Sequence, residues 1–297
     1  MEIRETDAMW QLAQRIRPGS KPLALRSLEG GISAQVSMLT LLLADGSEER
    51  LVVRQHSQQN LRRNPHLPSD QFRLLQKLWT EGLAVPRPVF LDQSVSPNLL
   101  VMEYVPGKTE FNPADEPAYL QQLATQLAQI HGSSIDNLNC LSRVTAQSIF
   151  DRARGWLGSS PLELQVIHAL KRSLPEGSAN PSVLLHGDYW PGNVLWCKGR
   201  IVAIVDWDAA AIGDPLSDLA NARLEMLWAL GPRAMLQFTE YYSRAMNVDC
   251  FRLPLWDLLA VINVAPFIRA WGLDPVKEQQ MYHQLDWFAQ LALARLP

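Results

Sequence analysis

Residues 184–215 read LLHGDYWPGNVLWCKGRIVAIVDWDAAAIGDP. Two acidic groups, one amide and a tight turn lie there between short apolar runs. Val183–Leu185 is a β-branched and aliphatic run, and His186-Gly187-Asp188 leaves it in a loop. A second run, Val194–Cys197, turns at Lys198-Gly199 and returns as Ile201–Val205, an apolar strand that delivers Asp206 at its end. Asp188, Asn193 and Asp206 are thus expected to emerge at the same edge of one hairpin. A buried carboxylate without a partner costs several kcal/mol, so this set is a poor core. It is a good holder for a divalent cation beside a hydroxyl group.

Phosphoryl transfer asks for such a set, because it needs an in-line nucleophile and neutralised phosphate oxygens and little covalent work from the protein. Asp188 is the candidate to accept the acceptor hydroxyl's proton, with Asn193 and Asp206 as oxygen ligands for Mg²⁺. Magnesium suits a site with few protein ligands, since it keeps several waters and takes other oxygens from nucleotide phosphates. Taken singly, an Asp after a strand is a turn former or helix cap and an Asn a turn residue. The joint spacing, continued through Gly213-Asp214-Pro215 and Asp218, speaks against that. His186 reads as a structural residue that holds the loop by hydrogen bonds. Asp208 reads equally well as a second metal ligand or as a solvated turn.

HGDYWPGN followed by IVDWD resembles the H-x-D-x-x-x-x-N and metal-Asp pair of the aminoglycoside phosphotransferase/choline kinase-like family, the small-molecule branch of the protein-kinase fold. The resemblance runs over roughly residues 20–230. It implies a two-lobed α+β fold with an antiparallel N-lobe sheet and a mainly helical C-lobe, divided as residues 1–105 and 106–297. It also implies ATP, or GTP, with Mg²⁺ between the lobes.

The order of the N-terminal elements agrees: strand at Leu23–Leu28, the stretch EGGISAQ, strand at Val36–Ala44, an Asp45-Gly46 turn, and strand at Leu51–Gln55. Gly31 and Ser33 in that stretch would lie against phosphates, glycine permitting close approach. Arg54 stands where the family usually carries a lysine toward the α- and β-phosphates. Alternation of strand faces leaves a plain surface arginine as its other reading. The family's helix glutamate aligns with Gln71, on a helix expected from Ser69 to Glu81, and Gln71 can hydrogen-bond Arg54 but not ion-pair with it. LLVMEYVPG resembles the inter-lobe hinge, with backbone groups of Glu103 and Val105 on adenine and Met102 behind the ring. The alternative is a buried edge strand with a Pro-Gly stop.

From Pro113 onward the spacing of apolar residues predicts helices almost throughout. Asp218, in the first turn of a helix from Leu216 to Leu230, is placed to cap it. By the resemblance it also ties down the catalytic-loop backbone. His131 reads as a packed residue or a C-terminal helix charge. Arg223 and Glu225 pair locally or line the acceptor site.

Composition bounds the rest. With 297 residues, 47% of them hydrophobic, and a net charge of −3, the chain has ample core and no electrostatic footprint for nucleic acid. No run of about 18 uninterrupted apolar residues occurs, so a cytoplasmic chain with no membrane partner is expected. Cys140, Cys197 and Cys250 are scattered, without a disulfide or zinc spacing. The expected function is transfer of the γ-phosphate of ATP to a hydroxyl of a small molecule, an aminoglycoside-like antibiotic or a metabolite, by a monomer or homodimer. Its rivals are a nucleotide-binding pseudo-kinase scaffold, favoured by Arg54 and Gln71, and a metal-dependent hydrolase, disfavoured by the sparse oxygen ligands.

Overall fold

Alternation of side chains along LVVRQH sets the two faces of the first sheet. The structure, a computed structural model, describes residues 2–28, 34–92, 99–153, 160–174 and 180–296. The chain divides into two units: residues 1–107 with 202–208, and residues 108–201 with 209–297. Residues 202–208, which the expected division at 105/106 put with the second lobe, group with the first unit.

The first unit runs α1 (Glu2–Ile16), β1 (Lys21–Ser27), β2 (Ala34–Leu42), β3 (Glu48–His56), α2 (Gln58–Arg63), α3 (Leu67–Thr80), β4 (Pro88–Asp92) and β5 (Leu99–Glu103). The strands form one antiparallel sheet in the order β1-β2-β3-β5-β4. Ala13 and Ile16 of α1 pack with Leu39, Leu41, Leu51, Val53 and Val101. Because strand side chains alternate, Val52, Arg54 and His56 take the opposite face. Their register partners Met38, Val36, Ala34, Leu100 and Met102 share it. α3 packs on β4 and β5.

The second unit carries α4 (Glu116–His131), β6 (Ser142–Val144), α5 (Ala146–Ala153), α6 (Pro161–Ser173), β7 (Val183–Leu185) and β8 (Val194–Cys197). The chain passes into the first unit within β9 (Arg200–Ile204) and returns before β10 (Ala211–Gly213). Then follow α7 (Pro215–Leu230), α8 (Pro232–Ala245), α9 (Leu253–Val264), a 3₁₀ segment over Ala265–Trp271, and α10 (Pro275–Leu293). The hydrophobic pattern reveals neither β6 nor β10. Three residues carry no readable period, and β10 pairs in parallel with β6 and antiparallel with β7, both distant in sequence. Gly213 permits this, since a Cβ there would come within 2.7 Å of the Val144 carbonyl oxygen.

α7 is the hub of this unit, packing on α8, α9, α10 and β7. Its N-cap is Asp214, whose Oδ1 accepts the Leu216 amide at 2.9 Å; the expected cap, Asp218, does another job. On another side of the helix, Arg223 donates from Nε and Nη2 to both oxygens of Asp257 at 3.0 Å. Its guanidinium also lies over the Phe288 ring. Arg223 therefore pairs with Asp257 rather than with Glu225.

Burial pushes the Asp257 carboxyl up despite the facing guanidinium. Desolvation thus outweighs the attraction, as is common for buried ion pairs. The pair fixes the geometry of α7 on α9 and adds little net stability. Arg223→Leu alone is expected to cost about 3–5 kcal/mol in chemical denaturation, because it strands the Asp257 charge. Arg223→Met with Asp257→Leu should recover most of that loss, and equal losses in the single and double variants would contradict this account.

Candidate active site

The loop 186–188 is held from behind. Asp218 of α7 accepts the His186 backbone amide on Oδ2 at 2.6 Å and the Gly187 amide on Oδ1 at 2.9 Å. His186 is fully buried, and its Nδ1 accepts the Asp188 amide at 3.3 Å, the structural task expected of it. Tyr189 is also buried and donates its hydroxyl to the Leu123 carbonyl of α4 at 2.9 Å. All three backbone amides from 186 to 188 are thereby satisfied inside the second unit, as buried amides must be. Gly187 sits at φ +81°, and a Cβ there would meet the Ala209 carbonyl oxygen at 2.1 Å. The loop closes only with glycine at that position.

Asp188 projects from this fixed backbone. Asn193, in the 3₁₀ turn Pro191–Asn193, donates from Nδ2 to Asp188 Oδ2 at 2.9 Å and to the Asp188 carbonyl at 2.8 Å. Both amide hydrogens are spent on Asp188. The side chain therefore presents its oxygen, the atom a hard cation takes. Sequence reading left a further neighbour undecided, Glu225 of α7. Burial, with the Asp188 carboxylate adding to it, pushes the Glu225 carboxyl up to about 8. Glu225 is thus protonated at neutral pH, and ionisation would set a second negative charge facing Asp188.

The first unit holds a separate charged cluster. Arg54 is buried, which answers the question of its face, and its Nη2 donates to Asp206 Oδ1 at 2.9 Å and to Asp208 Oδ2 at 2.6 Å. Gln71 Nε2 hydrogen-bonds Asp208 Oδ1, the contact observed in place of the expected one to Arg54. Asp208 is therefore no solvated turn; it joins β3 to α3. Asp206 adopts φ +64°, a left-handed backbone that costs most residues about 1–2 kcal/mol and Asp or Asn less. Strained backbone of this kind collects at functional sites.

His56, two residues along β3, was overlooked in the sequence. It is buried, with no hydrogen-bond partner for either ring nitrogen among the described residues. Burial lowers its imidazole to about 4 against the opposing pull of Asp208. Met102 lies on the Arg54 face of the sheet, opposite Val52. The Glu103 amide donates to the Arg87 carbonyl at 2.9 Å, so that backbone donor is spent in the sheet; Val105 follows two residues later. Gly31 and Ser33 lie outside the described residues. Among the described residues no three His, Cys, Asp or Glu side chains form a metal cluster. A cation here would need oxygens from a bound nucleotide.

Two measurements check this geometry. Gly187→Ala is expected to cost at least about 3 kcal/mol in denaturant unfolding, against about 1–2 kcal/mol for Gly199→Ala. The latter has φ +73° but open space around it. Equal costs would mean that the close approach to Ala209 is absent. Glu225 binds its proton more tightly folded than unfolded, so wild-type stability should fall as pH rises from the ordinary carboxylate range through about 8. Glu225→Gln cannot ionise, so its melting temperature should gain on the wild type across that window. A constant offset between pH 5 and 9 would contradict the shifted carboxyl.

Residues 25–256 match the model of the phosphotransferase enzyme family, APH. The chain is 28% identical over 279 residues to acyl-CoA dehydrogenase family member 11 of Rattus norvegicus, covering 86% of this chain but 34% of that protein. It is 38% identical over 61 residues to hygromycin-B 4-O-kinase of Escherichia coli, covering 20% of this chain and 17% of that protein. The chain thus spans about a third or less of the curated relatives it matches. Among solved structures, macrolide 2'-phosphotransferase type I superposes with a TM-score of 0.64 at 21% identity, covering 99% of this chain and 97% of that one. A variant of aminoglycoside phosphotransferase APH(4)-Ia, in ternary complex with ADP and hygromycin B, superposes at 0.66 with 17% identity, covering 94% and 97%. At such identities the superpositions show a shared fold, the kinase-like fold with an antiparallel N-terminal sheet and a mostly helical remainder. With the family model matching most of its length, the chain belongs to the phosphotransferase enzyme family.

Proposed function

We propose that the chain transfers the γ-phosphate of ATP to a hydroxyl of a small molecule, with Asp188 as the base that accepts the hydroxyl proton. The observation that carries this reading is the Asp188–Asn193 contact, on a loop whose backbone Asp218 fixes. A carboxylate held by a fixed amide can orient an attacking oxygen without reorganising, which is where transfer enzymes gain rate. Asp206 and the Asn193 oxygen are the proposed ligands of a nucleotide-borne Mg²⁺, a fit that rests on oxygen donors and on the two spent Asn193 hydrogens. When bound, that ion neutralises phosphate charge. Arg54 is proposed to serve the phosphates and the backbone at Glu103 and Val105 the base. A cytoplasmic monomer or homodimer is part of the same reading.

Two names among the relatives bear on the acceptor. The hygromycin-B kinase favours an aminoglycoside-like compound. The longer match to acyl-CoA dehydrogenase family members favours a hydroxylated acyl compound instead. A panel holding both classes, with ADP release as readout, separates them.

The scaffold alternative draws on Arg54 and Gln71, and one substitution decides against it or for it. Asp188→Asn should lower Mg²⁺-dependent transfer about 10²–10⁴-fold, the usual worth of a positioned base, while nucleotide binding stays within a few-fold. Nucleotide binding by the wild type with no transfer to any hydroxyl compound would support the scaffold.

A further inference from the structure

Asp218 has a third partner. His131, the last residue of α4, brings Nε2 to 3.2 Å from Asp218 Oδ2, and its Nδ1 lies 2.6 Å from the Tyr242 hydroxyl of α8. The Tyr242 ring meets the imidazole edge-on. All three side chains are buried, Asp218 being 1% exposed, His131 3% and Tyr242 0%.

The proton positions follow from the partners. A carboxylate that accepts two backbone amides is acting as an ionised acceptor, so Nε2 must carry the imidazole proton toward it. Nδ1 then offers a lone pair, and Tyr242 supplies the hydrogen. Burial, with Asp218 adding to it, pushes the phenol far above its ordinary range, so the hydroxyl keeps its proton. That hydroxyl also reaches Met246 Sδ at 3.2 Å, but sulfur is the weaker acceptor and the imidazole is closer. Tyr242, His131 and Asp218 thus donate in one direction, ending on the amides of His186 and Gly187. Bonds aligned in such a chain strengthen one another.

Two amides approach Asp218 from the loop, and His131 approaches Oδ2 from a separate helix. Without His131 the carboxylate could turn about its own Cβ–Cγ bond and let one amide go. We propose that His131 is a positioning residue for phosphoryl transfer: through Asp218 it holds the backbone that aims Asp188. The proposal rests on the transfer reading above for its kinetic arm and stands on the loop alone for its structural arm.

His131→Leu keeps most of the volume and removes both nitrogens, whereas His131→Gln returns one N–H toward Asp218. Exchange of the His186 and Gly187 amides, followed by hydrogen–deuterium exchange, should quicken about tenfold or more in the leucine variant and return toward wild type in the glutamine variant. In transfer assays kcat should fall about 10–100-fold for leucine, the range seen when outer partners of a functional group are removed, with KM for nucleotide within about twofold and partial rescue by glutamine. Tyr242→Phe, which deletes a single oxygen, should give an intermediate quickening of the same two amides, and it carries the test should the leucine variant not fold. Unchanged exchange at 186 and 187 in the folded variants would overturn the proposal, as would a glutamine variant no better than leucine. A wild type that transfers no phosphate would defeat the functional reading, while the exchange arm would still decide the role of His131.

Discussion

The second unit depends on one carboxylate doing a backbone's work. Loop 186–188 leaves β7 with amides that no strand pairs, and unsatisfied buried amides would cost about 1–3 kcal/mol each. Asp218 takes two of them and the His186 ring takes the third. This requires α7 to stand directly behind the loop, glycine at 187 and a small backbone gap at Ala209. It explains why α7 is so thoroughly buried and why its cap falls to Asp214 instead. Asp188, the residue that projects from this platform, owes its aim to atoms that are not its own.

Charge is distributed with the same economy. Arg54 meets Asp206 and Asp208 in the first unit, and Arg223 meets Asp257 in the second. The Asp257 carboxyl is pushed up even beside its arginine, so that pair is a matter of geometry more than of stability. Glu225 meets no such cation among the described residues and keeps its proton at neutral pH, because burial and then the neighbouring Asp188 carboxylate push it up to about 8.

What could be read from the sequence was whatever lies close together in it. Asp188 and Asn193 are five residues apart, and spacing put them at one edge of a hairpin; the hydrogen bond between them is a finding of the structure. The hairpin of β2 and β3 followed from the Asp45-Gly46 turn, and the rest of the antiparallel sheet from the family resemblance. His131 reaches partners 87 and 111 residues away, Gln71 one 137 residues away, and no periodicity encodes such contacts. Gln71 was therefore matched to Arg54 by analogy, while its hydrogen bond goes to Asp208. Asp218 was expected from its position to cap the helix and, by resemblance, to tie down the catalytic loop; it does the second at the His186 and Gly187 amides, while Asp214, one turn earlier, is the cap. β6 and β10 escaped notice because a three-residue strand exists only through its neighbours.

In the proposed reaction Asn193 and Asp206 turn their oxygens on one nucleotide-borne cation, and Asp188 takes the hydroxyl proton. A crystal structure of the chain with Mg²⁺ and a non-hydrolysable ATP analogue tests this most directly. The metal is expected on the Asn193 amide oxygen and an Asp206 carboxylate oxygen, with the terminal phosphate facing Asp188. A metal held by other side chains, or a nucleotide whose phosphates point away from Asp188, would contradict it.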